Sequence, residues 1–147
     1  MDCDLRRPMV HRLFDLPAMP GVAEILRGDV QLDDALHTGA APMSILHAGR
    51  CDQRALQALG KGGLKNIFDR VREKYEFIVI DSCPVLPVAD SLLIAQEVDG
   101  VLWSVLRDVS QLPRILAAYQ RLAMLGVRML GAVVNGARET VYDPAYQ

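Results

Sequence analysis

The sequence lacks several features that would narrow its function at once. It holds three cysteines, an odd number without the spacing of metal ligands, so we expect reduced thiols rather than a disulfide framework. Its net charge of −2 provides no basic field that would attract nucleic acid. Its apolar runs are far shorter than the about 20 residues of a membrane span, and its N-terminus carries acid where a signal peptide carries base. We therefore expect a cytoplasmic protein with no nucleic-acid partner and no direct membrane insertion.

The sequence does contain the pattern of an α/β domain. Its 147 residues are 51% apolar and 23% charged, which is the composition of one globular domain. Short apolar segments alternate with helical periodicity, and this alternation indicates a parallel β-sheet with helices on both faces. Strands are predicted over residues 43–49, 76–81, 100–106 and 128–135, and helices over residues 6–16, 20–29, 31–36, 62–75, 87–98 and 111–126. We expect the domain to cover residues 1–136 and a flexible, tyrosine-containing tail to cover residues 137–147.

Some details of this pattern are specific predictions. The helix over residues 62–75 should bury four apolar side chains that share one face, namely Leu64, Ile67, Phe68 and Val71. Segment 76–81 (EFIVID) contains a continuous apolar run, which is typical of a strand buried on both faces. Pro8 and Pro113 should each lie in the first turn of a helix, and Gly28 should end one.

Polar residues stand where strands of a parallel sheet would end. Asp81 closes FIVID, Asn135 closes GAVVN, and the D-x-D pair of Asp2 and Asp4 resembles the end of a strand. Ligands of an open parallel sheet bind at the carboxyl ends of its strands. An apolar run that leads into Asp81 and a small hydroxyl is typical of a Walker B strand, whose carboxylate holds Mg²⁺. The alternative is that Asp81 only caps a helix or a turn.

The D-x-D pair also admits two interpretations. One carboxylate can help position a metal while the other accepts a proton from an incoming hydroxyl. Alternatively, Asp2 and Asp4 are a solvated charge cluster at a frayed terminus. Nothing in their spacing decides which of the two would be the base and which the metal ligand.

Four segments in order, DCDLRRP (2–8), 14–36, 75–106 and 126–136, resemble one family. They are similar to the catalytic domain of bacterial tyrosine kinases (BY-kinases), P-loop NTPases that autophosphorylate and regulate capsular and exopolysaccharide export. DCDLRRP resembles the family's Walker A′ motif, and VIDSCPVL resembles its Walker B motif.

The resemblance implies site residues, cofactors and partners. Asp2, Asp4 and Asp81 would be catalytic, with Asp81 and Asp4 as Mg²⁺ ligands, and Asn135 would contact the adenine of ATP. Further implied partners are sibling subunits in a homo-oligomer and a membrane polysaccharide co-polymerase or activator, fused or separate, which would hold the domain at the inner face of the plasma membrane.

The resemblance also implies acceptor residues in the tail. Tyr142 and Tyr146 would be the start of a tyrosine cluster that is phosphorylated on a neighbouring subunit. The alternative is that they are two exposed aromatic residues without such a role.

One motif of the family does not occur in the sequence. A P-loop reads G-x-x-x-x-G-K-[ST], whereas the single Gly-Lys step, Gly60 and Lys61, is followed by Gly62, and Ala55 replaces the first glycine. We read this stretch as a loop and expect the first strand and the P-loop to be absent from this chain, which should therefore be inactive alone. Two other functions fit the same residues: a partitioning or septum-placement ATPase, and a non-catalytic regulatory module that binds a membrane adaptor.

Overall fold

A computed structural model describes residues 1–39 and 43–137. The chain forms two compact units, Met1–Glu97 and Val98–Gln147. The first contains α1 (Val10–Leu13), α2 (Val22–Arg27), α3 (Leu32–Ala35), β1 (His37–Thr38), β2 (Ser44–Ile45), α4 (Gln53–Gly60), α5 (Gly63–Arg72) and α6 (Asp90–Ala95). The second contains β3 (Val101–Leu106), α7 (Leu112–Met124) and β4 (Met129–Asn135). Within the described ranges, no helix combines the length and the hydropathy needed to cross a membrane.

The core of the first unit follows the predicted periodicity. The four apolar residues expected on one face of α5 are all buried: Leu64, Ile67, Phe68 and Val71. Helix α2 ends at Gly28, whose φ of 78° is the left-handed conformation that glycine adopts without strain. Both predictions are confirmed. Each was made from a local pattern, the spacing of apolar residues in one case and a glycine at a helix end in the other.

The start of α1 and the stretch around Gly60 differ from prediction. Helix α1 begins only at Val10, after Met9 as N-cap, so Pro8 precedes the helix instead of lying in its first turn. The predicted loop around Gly60 and Lys61 is also wrong. Residues 53–60 form α4, whose N-cap Asp52 accepts a hydrogen bond from Ala55 N at 2.9 Å. Gly60 is the last residue of this helix and Lys61 is its C-cap.

Segment 76–81 differs most from its prediction. It carries a single parallel bridge, between Asp2 and Asp81, and no longer strand. Phe77 is 83% exposed and Val79 is 82% exposed, so the expectation of a strand buried on both faces is wrong. The segment's backbone hydrogen bonds to residues 1–3 are made by Val79 and Asp81.

The second unit is the predicted βαβ unit. Strands β3 and β4 pair in parallel, with Leu106 opposite Asn135 at their carboxyl ends. Helix α7 connects them, and Pro113 lies in its first turn as predicted. A parallel pair requires such a crossover because its two strands run in the same direction.

Candidate carboxylate site

The site in the first unit is built on adjacent backbone segments. Asp2 N donates to Leu46 O at 2.8 Å, and Cys3 N donates to Asp81 O at 2.8 Å. Residues 1–3 therefore lie between the segment that contains Leu46 and the segment that ends at Asp81. This arrangement brings the D-x-D pair beside Asp81, as the carboxyl-end argument predicts.

Asp2 is fully buried, and backbone groups occupy both of its carboxylate oxygens. Oδ1 accepts a hydrogen bond from Asp4 N at 3.0 Å, and Oδ2 accepts one from Val10 N at 3.2 Å. A buried carboxylate needs such partners because desolvation penalises an unpaired charge. Asp2 thus ties the D-x-D segment to the first turn of α1.

Asp4 is only partly buried, and its carboxylate accepts hydrogen bonds through one of its two oxygens. Oδ1 accepts hydrogen bonds from Arg6 N at 3.1 Å and Arg7 N at 2.9 Å, an arrangement typical of an aspartate that organises a turn. Within residues 1–39 and 43–137, Oδ2 receives no hydrogen bond. Asp4 therefore combines a fixed orientation with an available oxygen.

The carboxylates interact electrostatically. The pKa of Asp81 is raised, first by desolvation and then by the negative charges of Asp2 and Asp4, while the backbone N–H of Ser82 partly opposes the shift. Like charges that share a site disfavour ionisation. A cluster of this kind attracts a cation or a proton.

The fit to Mg²⁺ can be judged from the oxygen donors. In the described part of the chain, no three His, Cys, Asp or Glu side chains converge closely enough to enclose a metal ion. Mg²⁺ does not require such a cage, since it keeps several waters and binds one or two carboxylates together with substrate phosphates. Asp4 and Asp81 offer carboxylate oxygens of this type, and the mutual repulsion that raises the pKa of Asp81 favours a cation between them. The residues present therefore fit the ion.

Asn135 belongs to the second unit. It ends β4, and its Nδ2 donates to Ser104 Oγ on β3 at 3.0 Å. Its backbone carbonyl accepts a hydrogen bond from Arg107 N at 3.0 Å. Contact with adenine stays a prediction for this residue. Tyr142 and Tyr146 lie outside the described residues.

An ion pair that the sequence analysis did not identify joins the Walker A′ segment to α6. Arg6 binds Asp90 in two places, Nε to Oδ2 at 2.7 Å and Nη2 to Oδ1 at 3.2 Å. The partners are 84 residues apart in the sequence, and no periodicity relates positions at that separation. Only the charge of the two residues and their placement in motif-like segments could have suggested the pair.

Solved structures resemble the chain over nearly its full length. The VpsO kinase domain matches with a TM-score of 0.86 and 30% identity, over 93% of this chain and 68% of that one. The septum site-determining protein MinD of Pyrococcus horikoshii, complexed with Mg-ADP, matches with a TM-score of 0.73 and 21% identity, over 99% of this chain and 60% of that one. The second likeness concerns the fold alone. The fold class is therefore that of an α/β, P-loop NTPase-like domain.

Curated relatives indicate which class of protein within this fold the chain resembles. Tyrosine-protein kinase ptk of Acinetobacter johnsonii is 29% identical over 136 residues, which are 92% of this chain and 19% of that protein. The putative tyrosine-protein kinase CapB of Staphylococcus aureus is 26% identical over 92% of this chain and 60% of its own length. No family model matches the sequence. On the strength of the kinase relatives and the VpsO domain, the chain belongs to the bacterial tyrosine kinase family. It spans only about a fifth of the Acinetobacter protein.

Proposed function

We propose that the chain is part of an ATP-dependent protein-tyrosine autokinase that acts in capsular or exopolysaccharide biosynthesis and export. The observation that carries this proposal is the arrangement of Asp2, Asp4 and Asp81 on adjacent segments, in which desolvation and then the two D-x-D carboxylates raise the pKa of Asp81. Two carboxylates with available oxygens are what metal-assisted phosphoryl transfer to a hydroxyl requires. The relative named CapB is consistent with a role in capsule formation.

The geometry supports one role for Asp4 and Asp81 and another for Asp2. Asp81 and Asp4 would hold Mg²⁺, and their remaining oxygens would accept the proton of an incoming tyrosine hydroxyl. The ion would neutralise charge that develops on the transferred phosphoryl group. Asp2 would orient Asp4, since both of its oxygens already accept backbone hydrogen bonds.

The roles of the remaining site residues are part of the same proposal. Asn135 would contact the adenine of ATP, and Tyr142 and Tyr146 would accept phosphate from a neighbouring subunit. A membrane activator, fused or separate, would hold the domain at the inner face of the plasma membrane.

Activity would also depend on a phosphate cradle. These 147 residues contain no G-x-x-x-x-G-K-[ST] sequence, whose backbone N–H groups and lysine hold the phosphates. Since phosphoryl transfer depends almost entirely on positioning and electrostatic stabilisation, we propose that these residues alone do not phosphorylate tyrosine.

The test compares these residues with a longer chain that carries a P-loop directly before Asp2. After incubation with Mg-ATP, phosphotyrosine should form only in the longer chain, and Asp81→Asn in that chain should abolish it. Asp99→Asn is the matched control because Asp99 is exposed and makes no ion pair within the described residues. Activity that survives Asp81→Asn would refute the assignment of the site.

The fold likeness to MinD favours one alternative, an ATPase that releases phosphate without phosphorylating tyrosine. The same incubation distinguishes the two functions. Inorganic phosphate without phosphotyrosine would indicate the ATPase, and phosphotyrosine would indicate the kinase. A longer chain that binds no Mg-ATP would leave only a non-catalytic regulatory module.

A further inference from the structure

Arg6 and Asp90 form an ion pair that two hydrogen bonds hold in one geometry. The two hydrogen bonds, at 2.7 and 3.2 Å, join two nitrogens of one guanidinium to two oxygens of one carboxylate. Such a bidentate pair fixes relative orientation as well as distance. Asp90 is only 8% exposed, so water competes little for its carboxylate.

Arg6 is also bonded through its main chain. Its backbone N–H donates to Asp4 Oδ1 at 3.1 Å while its side chain binds Asp90. A single residue therefore connects the proposed reactive carboxylate with the first turn of α6. If the Arg6 side chain dissociates from Asp90, the turn that orients Asp4 loses its attachment to α6.

Helix α6 is connected in turn to the segment after Asp81. Ser91 Oγ donates to the backbone carbonyl of Cys83 and lies 3.1 Å from Cys83 Sγ. Both groups are buried, and Cys83 is only two residues beyond Asp81. The contacts thus run from Asp4 through Arg6, Asp90 and α6 to the neighbourhood of Asp81.

We propose that Arg6 and Asp90 act as a positioning pair, which holds the Asp4 carboxylate at a set place relative to Asp81. The catalytic meaning of this pair rests on the proposed kinase function, whereas its effect on the Asp4 turn does not. Their side chains bond to each other, and Arg6 contacts Asp4 through its backbone N–H. They act by restricting where Asp4 can go.

Arg7 provides a matched control. It has the same side chain, adjoins Arg6 in the sequence, and its backbone N–H also donates to Asp4 Oδ1, at 2.9 Å. Its side chain is exposed and forms no ion pair within the part of the chain that the structure describes. Sequence alone does not distinguish the two arginines, but the structure does.

The first experiment measures amide hydrogen exchange by NMR on the 147-residue chain. Arg6→Gln should accelerate exchange of the two amides bonded to Asp4, at positions 6 and 7, by roughly tenfold, since the charged pair no longer restrains the turn. Arg7→Gln should leave both rates within about twofold of the parent chain, as expected of an exposed side chain without partners. Equal rates in the two variants would overturn the proposal.

A second variant covers the possibility that Arg6→Gln does not fold. The single change leaves the carboxylate of Asp90 buried without its partner, which is strongly destabilising. The double variant Arg6→Gln/Asp90→Asn removes both charges and avoids this penalty. In this double variant, the amides at positions 6 and 7 should still exchange faster than they do in Arg7→Gln. Exchange rates equal to those of Arg7→Gln would refute the role of the pair.

The catalytic consequence is tested in the longer chain that carries a P-loop. The double variant should lower kcat for tyrosine phosphorylation at least tenfold and change KM for ATP by a smaller factor, because Asp4 is misplaced while Asp81 and the phosphate cradle are intact. An unchanged kcat would overturn the catalytic part of the proposal. A different outcome is that the longer chain phosphorylates no tyrosine even without substitutions, while its double variant shows fast exchange at positions 6 and 7. That result would support the positioning role of the pair and reject the kinase function.

Discussion

Replacing Gly49 with alanine should destabilise the first unit more than the same change at another glycine of similar positive φ. Gly49 has a φ of 74°, and a Cβ there would lie 2.0 Å from Glu24 Oε2. Glu24 is buried, and this oxygen accepts a hydrogen bond from Gly21 N at 2.8 Å. Its other oxygen accepts from Arg27 Nη2 at 2.9 Å and from Arg50 N at 3.1 Å. The added methyl group must displace a carboxylate that three donors hold.

The magnitude has two parts. An alanine in the left-handed conformation costs about 1–2 kcal/mol. Displacement of Glu24 leaves the buried N–H of Gly21 without its acceptor, which costs about 1–3 kcal/mol more. Gly28→Ala is the control for the first part, because Gly28 has a φ of 78° and a Cβ there would meet no heavy atom within 4 Å.

Urea unfolding at neutral pH measures both variants. Gly28→Ala should lower the free energy of unfolding by about 1–2 kcal/mol, and Gly49→Ala by about 2–5 kcal/mol. Equal losses would mean that the carboxylate of Glu24 moves aside at no cost. In that case the hydrogen bonds around it would not restrain the loop, and the reasoning would fail.

Four further substitutions, which test three predictions, have defined outcomes. Phe68→Ala should lower the free energy of unfolding by about 3–5 kcal/mol because its side chain is buried, whereas Phe77→Ala, at an exposed position, should change it by less than about 0.5 kcal/mol in the same urea titration. The pKa of His47 is lowered, first by burial and then by the charge of His37, so the stabilisation from neutral His47 is complete above the ordinary histidine pKa and is lost as the pH falls below it. Urea unfolding at pH 7.5 and 5.5 should show a smaller acid loss in His47→Gln than in the parent chain, and an equal loss would refute this. The pKa of Asp81 is raised, first by desolvation and then by the charges of Asp2 and Asp4, so Asp81→Asn should increase the free energy of unfolding at pH 7. The gain should shrink as the pH falls through that pKa and the native carboxyl takes up its proton, and no gain at pH 7 would contradict the raised pKa.

Local patterns predicted the parts of the fold that local interactions determine. The buried face of α5 follows from helical spacing, and the parallel pairing of β3 and β4 follows from two apolar runs separated by a helix. The approach of Asp2 to Asp81 was predictable for a more general reason. The carboxyl ends of parallel strands lie at one edge of a sheet, so residues at those ends meet even when they are far apart in the chain.

Features that depend on tertiary contacts were not predictable from patterns. Helix α4 buries only two of its residues, Ala55 and Leu59, which is too weak a stripe to recognise in the sequence. Segment 76–81 has the composition of a buried strand, but strand formation requires pairing along its whole length, and its composition does not show how much pairing it obtains. Ion pairs between distant residues, such as Arg6 and Asp90, become visible only when the fold brings them together.

The structure also separates two aspartates that the sequence treats alike. A carboxylate that accepts a proton or binds a metal needs an oxygen that is not already committed to the backbone. Asp2 has none, because Asp4 N and Val10 N occupy its two oxygens in a buried position. Asp4 has one, and the pKa of Asp81 is raised first by desolvation and then by repulsion from Asp2 and Asp4. Asp4 and Asp81 would lose that repulsion on binding Mg²⁺, so the arrangement that costs free energy in the chain alone is the one that favours the ion.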